Sequence, residues 1–151
     1  MHQAIDNIRK GRLYALSMIE DLSEARLSHV PPGFSNNILW NLGHLVAAQE
    51  GVCYKRNGLD AYIAEEFWQR YRPGSHPQRE AGTAEIALVK QELLESLQRL
   101  QDDYTAGKFS NPVPWTTRYG IEIATIEDAL NFLQVHDGMH LGYIMALRKL
   151  I

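Results

Sequence analysis

His136 and His140 are four residues apart in a segment whose spacing predicts a helix. Both imidazoles therefore stack on one face, with Cβ atoms ~5–6 Å apart. Ala129, Leu133, Ile144 and Leu147 continue that face in steps of three and four, so the two rings occupy positions where a core is expected. His44 has a similar setting in an earlier predicted helix, with Trp40, Ala47, Ala48 and Gly51 along one side. Small residues there leave room for a close neighbour or a cavity. His2, His29 and His76 fall at the terminus or in predicted loops and read as solvated surface residues.

Three histidines on apolar helix faces admit two readings. Each is a core residue satisfied by a hydrogen bond, or together they hold a cation. Helix backbone groups are already paired, so each buried ring must find a side-chain or water partner. Leaving it unpaired costs roughly 1–3 kcal/mol. One divalent ion satisfies all three at once, and an i, i+4 pair plus one residue from a facing helix can converge to the ~2.0–2.1 Å of zinc–nitrogen bonds. Such a site is mononuclear and nitrogen-rich. Asp137, Gly138 and Met139 lie between the paired histidines, so the H-E-x-x-H order is absent, as are the E-x-x-H repeats of di-iron bundles. Haem is disfavoured because ligands at i, i+4 on one helix cannot reach opposite faces of a porphyrin.

Three neutral imidazoles leave coordination positions open, as in a catalytic site. A bound water then approaches a pKa of ~7, and a bound thiol is held as thiolate. The expected function is a metal-dependent hydrolase or a thiol-dependent transferase acting on a small-molecule substrate. The alternative is a non-catalytic, stress-associated bundle with a structural or sensing metal. No general base stands out. Asp137 points about 100° from its ligand neighbour and reads as a solvated or supporting acid, while Glu50 reads as a surface acid. Tyr143, Trp40, Trp68 and Trp115 could border a pocket, although core packing is the commoner role of such aromatics.

Four amphipathic helices must carry these residues. The first has the stripe Ile5, Ile8, Arg12, Ala15, Ile19 and Leu22, with Arg12 its single polar interruption, and Val30-Pro31-Pro32-Gly33 stops it. The second begins near Ser35, Asn36 or Asn37 and ends around Asn57-Gly58. The third starts at Thr83 and ends before Gly107, and the fourth opens at Thr125 with Asp128 as capping-box acid and runs to the C-terminus. A link of about ten residues lets the first two be antiparallel. Roughly 25 residues between the second and third allow a parallel return, well beyond a simple bundle turn. A short helix is expected within that link at Glu65–Tyr71, and an irregular loop or hairpin at Val113–Ile121. The fold class is all-α, a four-helix bundle with a long helix 2–helix 3 crossover, as one domain over residues 1–151.

Composition fits a globular chain: 45% hydrophobic, 22% charged, net charge −3. The basic residues are scattered, which disfavours a nucleic-acid partner. No stretch approaches the ~20 apolar residues of a membrane span, no signal-peptide core is present, and the cytoplasm is the default location. The lone Cys53 excludes an intrachain disulfide and reads as a small buried residue.

Trp40-Asn41-Leu42-Gly43-His44-Leu45 and Asn131-Phe132-Leu133-Gln134-Val135-His136-Asp137-Gly138-Met139-His140, separated by a long linker, resemble the DinB-like superfamily. The resemblance extends to the Trp115–Gly120 loop and the Thr125 helix start. It implies up-down-down-up order and a three-histidine metal site at His44, His136 and His140. It also implies nickel or zinc as the metal, a homodimer, and hydrolase, transferase or isomerase chemistry that can employ a low-molecular-weight thiol such as bacillithiol or mycothiol.

Overall fold

The structure, a computed structural model, describes residues 2–151 and is mostly helical. In chain order the elements are α1 (Gln3–Met18), α2 (Glu24–Ser28), α3 (Ile38–Cys53), α4 (Glu65–Tyr71), α5 (Thr83–Thr105), β1 (Trp115–Thr116), β2 (Glu122–Ile123) and α6 (Ile126–Arg148). A single 3-10 turn, Lys55–Asn57, follows α3.

The helix boundaries have local causes. Asn37 caps α3 by accepting the Trp40 N–H at 2.7 Å. Thr125 and Asp128 form a reciprocal capping box at the start of α6. Gly58 and Gly107, both with positive φ, turn the chain after the 3-10 turn and after α5. The first predicted helix is divided: α1 ends at Met18, and Ser23 caps the separate α2 by accepting the Arg26 N–H. The first helix thus ends well before the Pro31-Pro32 pair expected to stop it, and the Ser23 side chain gives the backbone a new helix start. Where an irregular loop or hairpin is expected at 113–121, residues 115–123 form a short antiparallel hairpin, Trp115 opposite Ile123 and Thr116 opposite Glu122.

α1 packs against α5 and α6, and α3 packs against α5, α6 and the short α2 and α4. Leu42, Leu45, Val46, Val89, Leu93, Ile144 and Leu147 centre one part of the core; Ile5, Leu97, Leu100, Leu130 and Leu133 centre the other. Arg12 fastens the four long helices from within. Its side chain is 1% exposed, and its guanidinium donates to Asp137 Oδ2 on α6 (2.8 Å), Gln49 Oε1 and the Leu45 carbonyl on α3, and Ser96 Oγ and the Leu93 carbonyl on α5. The polar break in the α1 stripe is thus a buried residue with its donors used. No described helix is long and apolar enough to cross a membrane.

Candidate metal centre

α3 presents His44 and α6 presents His136 and His140 to the same point, their ring centroids 4.6–5.2 Å apart. One ligand atom from each lies within 4.8 Å of the other two, so the trio could hold a metal ion. Two of the rings are aimed by hydrogen bonds. His44 Nδ1 lies 2.7 Å from the Tyr71 carbonyl, and His140 Nδ1 lies 2.7 Å from Asn41 Oδ1. An amide or carbonyl oxygen only accepts, so both Nδ1 atoms carry the proton and each Nε2 keeps its lone pair. The Asn41 amide is itself fixed, donating to the Asn37 carbonyl and Asn36 Oδ1. Metal-binding histidines are oriented in this way by oxygen partners at the other ring nitrogen.

The electrostatics favour the neutral form of His44 and His140. Burial pushes His44 down to about 4, against the opposing pull of the Tyr71 carbonyl; burial, with the neighbouring His136, pushes His140 down to about 3. No proton then competes for these two nitrogens at neutral pH. Burial raises the Asp137 carboxyl, but the Arg12 guanidinium and His136 outweigh it, leaving Asp137 below the usual carboxylate range. Its Oδ1 and His136 Nδ1 are both buried without a hydrogen-bond partner and lie 3.7 Å apart.

A short helix holds the His44 partner in place. The Tyr71 ring lies over Gly43, where a Cβ would meet it at 2.4–2.6 Å, and the Trp68 ring lies over Gly51. Tyr71 Oη donates to Glu85 Oε1 at 2.6 Å. Glycine spacing on α3 thus admits α4, and α4 delivers a carbonyl to the histidine. On the other side Trp40 stacks on His44, centroids 4.6 Å apart and planes 11° from parallel, and donates Nε1–H to Ser75 Oγ.

A cavity of about 720 Å³ opens above the three rings. Trp40, Trp68, Trp115 and Phe132 wall it, with Ala47 and Ala48 beneath. The Phe132 ring stands 5.8 Å from His136 and meets Trp115 edge-on.

The model of the DinB superfamily matches residues 8–144. The chain belongs to the DinB superfamily. Comparison with curated proteins finds no match.

In this DinB-superfamily chain, the three histidines chosen from helical spacing come together, and His29 and His76 are exposed as expected. His2 departs from a purely solvated role: its ring accepts the Ala4 N–H and caps α1. Asp137 is a buried ion-pair partner rather than a solvated acid, because Arg12 on α1 reaches it. Glu50 is not a surface acid. It is fully buried, accepts the Tyr62 N–H at 2.9 Å, and burial raises its pKa; the 59–63 segment folds over a position that helical phase alone leaves at the edge. Tyr143 packs edge-on against Phe34 outside the cavity. Trp68 and Trp115 are half-buried wall residues rather than pure core. Asn41 and the Tyr71 carbonyl escaped sequence reasoning. Asn41 sits three residues before His44 on the same helix face, a signal available in advance; a backbone carbonyl leaves none. Cys53 is buried, and burial raises its thiol pKa.

Proposed function

We propose that this protein is a metal-dependent enzyme acting on a small molecule, as a hydrolase or a low-molecular-weight-thiol transferase, with His44, His136 and His140 as ligands of one Ni²⁺ or Zn²⁺ ion. The observation that carries the reading is the position of the trio: three imidazoles, two with Nδ1 tied and Nε2 left over, at the floor of an open cavity. A purely structural site is surrounded by protein ligands on all sides, whereas this floor faces space for a reactant. A divalent ion held there supplies Lewis-acid activation of water or of a thiol. The chain's own residues do the rest: Asn41 and the Tyr71 carbonyl aim the rings, and Trp40, Trp115 and Phe132 exclude bulk water from one side.

The same reading takes residues 1–151 as one domain in which α1, α3, α5 and α6 form a four-helix bundle of up-down-down-up order, α4 lying in the long crossover. The pairwise packing of these helices and the 29-residue connection from Cys53 to Thr83 support it. It also takes the protein as a homodimer, supported by exposed Val135, Met139 and Met145 on the outer side of α6. Sedimentation of the purified chain tests that point.

Activity is tested by consumption of a low-molecular-weight thiol against an electrophile, and by ester hydrolysis, in chelator-treated protein resupplied with Zn²⁺ or Ni²⁺. Turnover is expected to return with the metal and to be absent in His136→Ala. Turnover that persists in that variant refutes the mechanism.

A further inference from the structure

The cavity above the histidines carries a charge pattern that metal ligation does not explain. Lys55, Arg56, Arg72 and Arg118 line it and no carboxylate does, in a chain with 18 acidic and 15 basic residues. Lys55 is partly committed, its Nζ 3.6 Å from Glu65 Oε2 and 4.7 Å from the Trp68 ring centroid. The three arginines have no carboxylate partner among the described residues. Arg56 lies over Trp115, its guanidinium carbon 3.7 Å from the ring centroid. Arg118 lies over Tyr119 and donates to its hydroxyl at 2.7 Å. Arg72 donates to Gln69 Oε1 and to the Pro73 carbonyl.

These contacts orient the guanidinium forks without neutralising them. A guanidinium has five N–H donors in a fixed plane, and stacking on an aromatic ring leaves all of them at the edge. The arginines come from three segments that meet only in the fold: the turn after α3, the end of α4 and the β1–β2 hairpin. Uncompensated charge at a cavity mouth with apolar walls focuses potential inward, and guanidinium forks match carboxylate and phosphate oxygens. Below the mouth the walls are aromatic and aliphatic, and the volume of about 720 Å³ suits a small organic molecule.

We propose that this cavity selects small organic anions, with a carboxylate or phosphate received by Arg56, Arg72 and Arg118 and an apolar body lying against Trp40, Trp115 and Phe132. The proposed enzymatic function enters only in placing the reacting end of such a molecule over the histidines. The anion preference belongs to the rim and does not require a metal.

All three tryptophans of the chain line the cavity, so intrinsic fluorescence reports its occupancy. Chelator-treated protein is titrated with 5-phenylvalerate, with phenyl phosphate and with the neutral 5-phenylvaleramide. At least one anion is expected to bind roughly ten-fold or more tightly than the amide, and the difference shrinks as salt is added. The carboxylate and phosphate arms show which head group the rim prefers. The Arg56→Gln/Arg118→Gln double variant is expected to lose the preference while keeping its helical circular dichroism and its affinity for the amide. Should that variant lose helicity, the amide comparison and the salt dependence in the unsubstituted protein decide. The His136→Ala variant is expected to retain the preference, so failure of the metal reading and failure of this one are separable. Equal affinity for amide and anions, no binding of either anion, or a preference that survives the double substitution in folded protein overturns the proposal.

Discussion

Replacing Gly43 with alanine tests how the site is built, because two opposing effects can be set against each other. In an ordinary helix interior, glycine to alanine stabilises by about 1 kcal/mol, since alanine has less backbone freedom to lose. At Gly43 the new Cβ would stand 2.4 Å from Tyr71 Cδ1 and 2.6 Å from Cγ and Cε1. Ordinary carbon contacts begin near ~3.5 Å, so the ring must retreat by roughly 1 Å. Tyr71 is 3% exposed and its hydroxyl is tied to Glu85, so the retreat moves α4 as a unit and draws the Tyr71 carbonyl from His44 Nδ1. Overpacking of this kind costs about 1–3 kcal/mol, which outweighs the helix gain. Loss of the orienting hydrogen bond lowers metal affinity by about 10- to 100-fold. Gly142→Ala is the control. It lies in the same helix as His136 and His140, and a Cβ there meets nothing within 4 Å, so it is expected to stabilise by up to about 1 kcal/mol. Chemical denaturation and competitive Zn²⁺ titration of both variants give the two numbers. If Gly43→Ala stabilises as Gly142→Ala does and binds Zn²⁺ as the parent does, α4 does not position His44.

Three further outcomes follow from the same geometry. Asp137→Ala leaves the 1%-exposed Arg12 guanidinium without its counter-charge and is expected to cost ~3–5 kcal/mol in urea unfolding; a loss below about 1 kcal/mol would contradict the buried pair. Asn41→Ala removes the acceptor from His140 Nδ1 and should weaken Zn²⁺ binding about ten-fold or more with helicity unchanged; undiminished affinity in that folded variant would contradict the orienting role of Asn41. In chelator-treated protein, His44 and His140 are held neutral down to about 4 and about 3, while unfolded histidines take up protons near 6.5. The unfolded state therefore binds more protons below about pH 6.5, so stability is full above that pH and falls as pH drops toward the folded values. The loss by about pH 4.5 is on the order of 2–3 kcal/mol for each ring. Urea titrations at pH 7 and pH 4.5 that give equal stability sink this argument.

Helix periodicity and capping chemistry made the frame readable in advance. Thr125 with Asp128, and Asn37 among the three candidates Ser35, Asn36 and Asn37, mark helix starts through side-chain cap hydrogen bonds, and α5 starts at Thr83 as expected although Gly82 before it makes no such bond. The α1–α2 break was not readable, because Ile19 and Leu22 keep helical spacing across it and are buried all the same. At the site, His136 and His140 are joined by one turn of helix, so their meeting is local. His44 joins them only through α3–α6 packing, which its small, apolar surroundings foretold. What stayed hidden depends on contacts between distant segments. Arg12 interrupts an apolar stripe, and only the fold supplies Asp137, Gln49 and Ser96 around it. Glu50 is covered by a segment twelve residues further along, and the arginine rim is assembled from three stretches with no common motif.

The proposed function requires that His44, His136 and His140 share one metal ion. It is tested most directly by elemental analysis and X-ray absorption on protein purified without a histidine tag and loaded with Zn²⁺. One ion per chain is expected, with three imidazole scatterers at ~2.0–2.1 Å, and a fall to substoichiometric metal in each single alanine variant. An unsubstituted chain that binds no ion, or alanine variants that keep the full complement and the same imidazole shell, would contradict it.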